Sequence, residues 1–178
     1  MAPVAAVMKS GVLDPLTGLP DREVFDLYLR AIDALAQRND RPYCVIQFDL
    51  DGLGRLARMS RTAGRDALRT FADVVRGTLR TEDVAAWLGD GQFIALLPET
   101  ELAGAVNAAE RILEGVVAQS ILQHGGVLNA DAGIARWRSP RTAQGVCDRA
   151  SELLAIAKAK ELRGAIAAEG SEPTAAPR

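Results

Sequence analysis

A chain of 178 residues that is 48% hydrophobic and 25% charged can bury one good core but not comfortably two, so a single domain with frayed ends is expected. A formal net charge of -2 and a pI near 5.5 deny it the broad basic field that a nucleic-acid or anionic-membrane surface needs, although local anion sites stay open. The apolar stretch in MAPVAAVMKSG is too short for a signal peptide and no later run reaches membrane-spanning length, which points to a cytoplasmic protein.

Residues 1–12 read as a linker. Val24, Leu27, Tyr28, Ala31 and Leu35, widened by Phe25 and Ile32, form one stripe at helical spacing and predict a first helix from Glu23 to Gln37. YCVIQFDL, from Tyr43 to Leu50, is β-branched and aromatic and is bounded by Pro42 and Gly52, as expected of a central strand buried on both faces. Leu68, Phe71, Val74, Val75 and Leu79 predict a second helix over roughly Ala63 to Arg80. DVAAWL and QFIALLP then read as two strands joined through Gly89, Asp90 and Gly91, a β-hairpin. Further on come a helix from Glu101 to Ala118, a strand pair or one bent strand between Val127 and Trp137, and an alanine-rich helix from Ala143 to Leu162. AIAAEGSEPTAAPR has no large apolar anchor after Ile166, so residues 165–178 are expected to form a disordered tail.

Cys44 and Cys147 lie far apart without metal-ligand spacing and are expected to be buried thiols. His124, the single histidine, reads as a turn residue ahead of Gly125 and Gly126. The first chemical cue is Asp49-Leu50-Asp51 at the end of the buried strand, where alternation puts both carboxylates on one face. Such a pair commonly holds a divalent metal that bridges phosphates, and equally often is a polar strand terminus. The tip LGDGQF by itself says only that the chain turns tightly.

Taken together, Asp14-Pro15-Leu16-Thr17-Gly18-Leu19-Pro20-Asp21-Arg22, Phe48-Asp49-Leu50-Asp51, the helix GRDALRTFADVVRGTLR and the hairpin DVAAWLGDGQFIALLP resemble, over residues 13 to 164, the GGDEF family of diguanylate cyclases. The resemblance implies an α/β (α+β) fold related to nucleotidyl cyclase and polymerase palm domains, with a central mixed five-stranded sheet flanked by helices. It also implies a reaction in which two GTP-loaded domains join their substrates with metal help, the ligands being the first Asp of the D-x-D and an acidic third residue of the signature hairpin.

Aligned without gaps, the signature becomes Gly89-Asp90-Gly91-Gln92-Phe93, leaving Asp49 without its acidic partner. Metal occupancy and rate should both collapse, so no catalytic residue and no retained magnesium are expected. Asp90 could substitute only by a register slip that turns the flanking apolar residues outward. The family's guanine-reading Asn is Ala57 here, and its G-H-x-x-G-D becomes Arg61-Thr62-Ala63-Gly64-Arg65-Asp66, which keeps only the final Asp. Lys158 matches a phosphate-contacting lysine, though the G-R-N that follows in the family is Glu161-Leu162-Arg163.

Arg80-Thr81-Glu82-Asp83 stands where family members carry the R-x-x-D of an inhibitory site for cyclic di-GMP, and Arg111 matches a secondary arginine of that site. A guanidinium offers paired donors to phosphate or to guanine O6 and N7, and an aspartate accepts from guanine N1 and N2. The plain alternative is an exposed ion pair at a helix end, worth about 0.3 to 0.5 kcal/mol. Three functions are thus carried forward: a silent cyclic di-GMP receptor, with a ligand-bridged homodimer as one form; a scaffold for a partner protein; and a weak or partner-rescued diguanylate cyclase. Trp87 replaces the usual arginine of its strand and either packs on a neighbour or offers an aromatic face to a partner.

Overall fold

The computed structural model describes residues 13–124, 128–160 and 164–175. The elements run α1 (Arg22–Asn39), β1 (Tyr43–Leu50), α2 (Leu53–Met59), α3 (Arg61–Thr78), β2 (Val84–Gly89), β3 (Gln92–Pro98), α4 (Leu102–His124), β4 (Ala130–Arg136), α5 (Ala143–Ala159), β5 (Ala165–Ala168) and β6 (Thr174–Ala175). Six strands form one sheet in the order β2-β3-β1-β4-β5-β6, antiparallel except for the parallel β4–β5 pair. The expected five strands are therefore joined by a sixth of only two residues at the edge.

Alternation along β1 divides the core in two. Cys44, Ile46, Phe48 and Leu50 face α3 and α4, meeting Phe71, Val75, Ile112 and Leu113. Tyr43 and Val45 face α1 and α5, meeting Phe25, Leu29, Cys147 and Leu153. Because both faces are covered, β1 is almost continuously apolar, with Gln47 and Asp49 the partly exposed exceptions near its end. The packing of α5 is tightest at Gly133, where any Cβ would collide with the Ala150 carbonyl and the Leu154 amide. Cys44 and Cys147 are buried free thiols, as expected, and burial raises the pKa of each.

The loop ahead of α1 owes its shape to Asp14. Its Oδ1 accepts the Leu16 and Thr17 amides and the Thr17 hydroxyl at 2.7–3.0 Å, and Gly18 turns at φ 64°. Asp21 then caps α1 by accepting the Val24 amide, and the Pro20 carbonyl accepts the Trp87 amide at 3.1 Å, which docks the loop on β2.

Two expectations need correction. A short helix, α2, fills the span after Asp51; its seven residues include Gly54, Arg55 and Arg58, which leave too little apolar pattern to read. The segment up to Trp137 supplies one strand, β4, which is the single-strand alternative, while α4 continues past Ala118 to His124, so His124 ends a helix rather than forming a turn. Gly125, Gly126 and Val127 lie outside the described residues.

The largest correction concerns residues 165–178: Ala165–Ala168 is a fully buried strand, with Ile166 and Ala168 in one half of the core and Ala165 and Ala167 in the other. Small apolar side chains suffice there because the backbone pairs with β4 and Glu169 ties the segment down. One Glu169 oxygen accepts the Arg136 amide at 3.1 Å and the other pairs with Arg141 at 2.6 Å. The domain therefore does not stop at residue 164.

Candidate functional site

The end of β1, the β2–β3 hairpin and the end of α5 surround a cavity of about 480 Å³ lined by Asp49, Asp51, Gly52, Gly54, Ala57, Asp90, Gly91, Gln92 and Lys158, with Leu50 and Leu53. The register beneath it is the ungapped one: Phe48 faces Phe93, and Asp49 faces Gln92 on one side and Asp131 on the other. No slip has taken place. Asp90 sits exposed at the two-residue tip with φ 46°, and the Gly91 carbonyl accepts the Leu50 amide at 2.9 Å. A Cβ on Gly91 would stand 3.1 Å from the Leu50 carbonyl oxygen and 3.4 Å from Leu53, so even a small side chain there requires the neighbours to give way.

Asp49 does not wait empty-handed. Lys158, from the last turn of α5, donates to its Oδ2 at 2.7 Å, and this bond, helped by Asp51 and Asp131, raises the lysine's pKa. Lys158 thus occupies a carboxylate rather than facing open solvent alone. Among the described residues, no three side chains of metal-ligating type converge closely enough to hold an ion.

Asp131 belongs to the same charged patch and escaped the sequence reading. It is 3% exposed, and its Oδ1 accepts the Ala165 amide at 2.8 Å, which stitches the start of β5 to β4. Burial, with Asp51 and Asp49 adding to it, pushes its pKa up to about 6. The signal in the sequence was a lone charge inside the apolar run LNADAGIA, legible only once β4 was known to be buried.

Ala57 and Gly64 turn out to be a helix contact. A Cβ on Gly64 would lie 3.1 Å from that of Ala57, so α2 and α3 approach closely there, and Ala57 offers the cavity only a methyl group. Asp66, the kept guanine-reading position, is not among the cavity's lining residues and pairs with Arg69 at 3.0 Å.

Arg80, Asp83 and Arg111 line no part of this cavity. Arg80 and Asp83 follow α3, and Arg111 projects from α4, the helix packed beside it; both arginines are exposed and, among the described residues, neither side chain has a hydrogen-bond or ion-pair partner, although the Arg80 charge acts on the Asp83 carboxyl. Asp83 is not their exposed ion-pair partner. It is 8% exposed, its Oδ2 accepts the Arg80 amide at 2.8 Å, and its Oδ1 is buried without a hydrogen-bond partner. Burial raises the pKa of this carboxyl above the usual carboxylate range.

Trp87 finds its explanation here. Its ring packs against the α3-side core beside Phe93, and its Nε1 donates to the Asp90 carbonyl at 3.0 Å, closing the hairpin tip. Of the two readings, packing holds.

Comparison with known proteins bears on the whole chain. The family model described as "Diguanylate cyclase, GGDEF domain" matches residues 12–163. Diguanylate cyclase DgcP of Pseudomonas aeruginosa is 29% identical over 153 residues, covering 84% of this chain but 23% of its own length, so the chain corresponds to a minor part of that protein. Diguanylate cyclase SiaD of P. aeruginosa, solved with its activator SiaC, superposes with a TM-score of 0.84 at 26% identity, covering 92% of this chain and 64% of that one. The GGDEF domain of DgcB from Caulobacter crescentus, solved with c-di-GMP, has the same fold with a TM-score of 0.83 at 22% identity, over 89% of this chain and 96% of that one.

Proposed function

The chain belongs to the GGDEF domain family, and from that premise we propose that it is a catalytically silent member that binds cyclic di-GMP through Arg80, Asp83 and Arg111. The observation that carries the binding half is Asp83: a buried carboxyl with one oxygen satisfied and the other orphaned, next to an exposed arginine whose guanidinium has no hydrogen-bond partner among the described residues. An unsatisfied buried acceptor costs about 1–3 kcal/mol, which a guanine N–H donor would recover. Arg80 and Arg111 would supply the paired donors to guanine and phosphate. That DgcB was solved with c-di-GMP lends this reading its ligand.

Silence rests on charge. Family catalysis needs acidic ligands for the metals that steer and neutralise triphosphate, and here the third signature position is Gly91 while Asp49 is held by Lys158. The residues present do not fit a metal pair, so magnesium takes no part in the proposed function. A second reading, a domain that holds a partner protein, is favoured by SiaD having been solved with an activator. It is compatible with the first if the ligand changes partner affinity or bridges two copies.

Calorimetric titration with cyclic di-GMP tests the proposal. Saturable binding that falls about tenfold or more in Arg80→Ala is expected, since bonds from a charged donor contribute about 1.5–3 kcal/mol. Absent binding, or binding unchanged by the substitution, refutes the receptor reading; product formed from GTP with magnesium or manganese refutes the silence.

A further inference from the structure

Helix α1 seals the α5-side core with one face and leaves the other uncovered. Among the described residues the exposed large apolar side chains are Leu13, Leu27, Leu35, Ile121 and Ile156, and α1 carries two of them, Leu27 at 59% and Leu35 at 50% exposure. Glu23, Leu27, Ala31, Ala34 and Arg38 are all exposed and recur every three or four residues, so they form a single stripe down the helix. Leu35 borders that stripe and lines a small groove with Ile32, Ala36, Pro42 and Pro98. The apolar surface thus runs on from the helix to the end of β3.

The stripe is complementary to itself when turned end for end. Its charges stand at opposite ends, Glu23 in the first turn and Arg38 in the last, and neither side chain has a hydrogen-bond or ion-pair partner among the described residues. A two-fold axis through the middle of the helix, between Arg30 and Ala31, brings position 23 opposite 38 and position 27 opposite 34. Each Glu23 then meets an Arg38, and each Leu27 sits over Ala34, a large side chain over a small one. Parallel packing would instead set Glu23 against Glu23 and Arg38 against Arg38. Arg30 flanks the stripe, and its two copies meet at the rim, where solvent and salt screen them.

We propose that this face of α1 is a contact between two copies of the chain, packed antiparallel across that axis. Apolar side chains standing half in solvent gain by shedding that water, and the end charges fix which way round the copies meet. With 18 residues α1 spans about 27 Å, so the helix pair covers less than the roughly 800 Å² per partner of a standard stable interface. The pairing is therefore transient, populated at high concentration or wherever something else holds two chains together. It lies on the opposite face of the sheet from α3 and α4 and shares no residue with Arg80, Asp83 and Arg111, so either can fail without the other.

The test is sedimentation equilibrium of the full chain from micromolar to submillimolar concentration, repeated in the Arg80→Ala background so that no carried-over cyclic di-GMP can bridge two copies. A monomer–dimer equilibrium is expected, weakened about tenfold or more by Leu27→Arg, which sets a charge over Ala34 twice in each dimer. Glu23→Arg and Arg38→Glu should each weaken it about threefold to tenfold by bringing like charges together. An equimolar mixture of those two variants should recover the native affinity as a heterodimer, and so should the chain carrying both exchanges. Far-UV circular dichroism should be unchanged throughout, because Glu23, Leu27 and Arg38 are exposed. The proposal is overturned by a chain that stays monomeric, by a dimer indifferent to Leu27→Arg, or by charge variants whose mixture associates no better than either alone. Dimers that form only after residues 2–12 are removed also overturn it, because the chain's own N-terminal segment, not a second copy, then occupies the face.

Discussion

Asp131→Asn isolates a charge that the fold holds against its own interest. The aspartate's pKa rises from 3.8 to about 6, chiefly through burial, while the bond from the Ala165 amide pulls the other way. A carboxyl whose folded pKa is raised binds its proton more tightly in the native chain than in the unfolded one. Its contribution is therefore fully present below pH 3.8 and is lost as pH rises through about 6. At about 1.4 kcal/mol per unit, the shift corresponds to about 3 kcal/mol of stability forgone at neutral pH. Asparagine keeps an oxygen for the Ala165 amide and has no charge to desolvate, but it gives up the attraction to Lys158. The net expectation is a variant more stable than the native chain by about 1–2 kcal/mol at pH 7 to 8, an advantage that shrinks to nothing near pH 4. Urea unfolding of both proteins at unit steps of pH measures the difference directly, and groups common to both cancel. A variant less stable at pH 7, or a difference that ignores pH, refutes the reasoning.

The remaining predictions concern packing and the hairpin. Ile166→Ala, in the terminal strand, should cost about 2–4 kcal/mol in chemical denaturation, whereas a substitution in a disordered tail would cost nothing measurable. Gly133→Ala should cost more than about 3 kcal/mol or abolish soluble expression, because backbone rather than a flexible side chain occupies the space; a stability within experimental error of the native chain would show that α5 can lift away. Trp87→Phe keeps the ring but not the donor to Asp90, so stability should fall by about 0.5–1 kcal/mol with faster amide exchange confined to the hairpin tip.

Much of this molecule could be read from its residues because its strands and long helices follow strong periodicities. The central strand, the hairpin with its turn at Asp90 and Gly91, and the helix at Ala143 needed no more than alternation, helical spacing and turn chemistry. Where reading stopped, the deciding interaction was long-range. Ala165–Ala168 looks like tail composition, and only its pairing with β4 and the grip of Glu169 on Arg136 and Arg141 make it a strand. Asp83 offered itself as an exposed partner for Arg80, yet a main-chain bond three residues back turned it inward. Lys158 is 109 positions from Asp49, and no local pattern announces their union. Trp87 stayed ambiguous until the carbonyl it caps was placed in space.

The parallel pairing of β5 with β4 also has a bearing on how the molecule is made. Until Ala165–Ala168 leave the ribosome, β4 presents a row of unpaired amides and carbonyls flanked by half-covered apolar faces, the kind of template that recruits stray strands. Pairing with Ala165–Ala168 turns that edge into the interior of the sheet and removes the template.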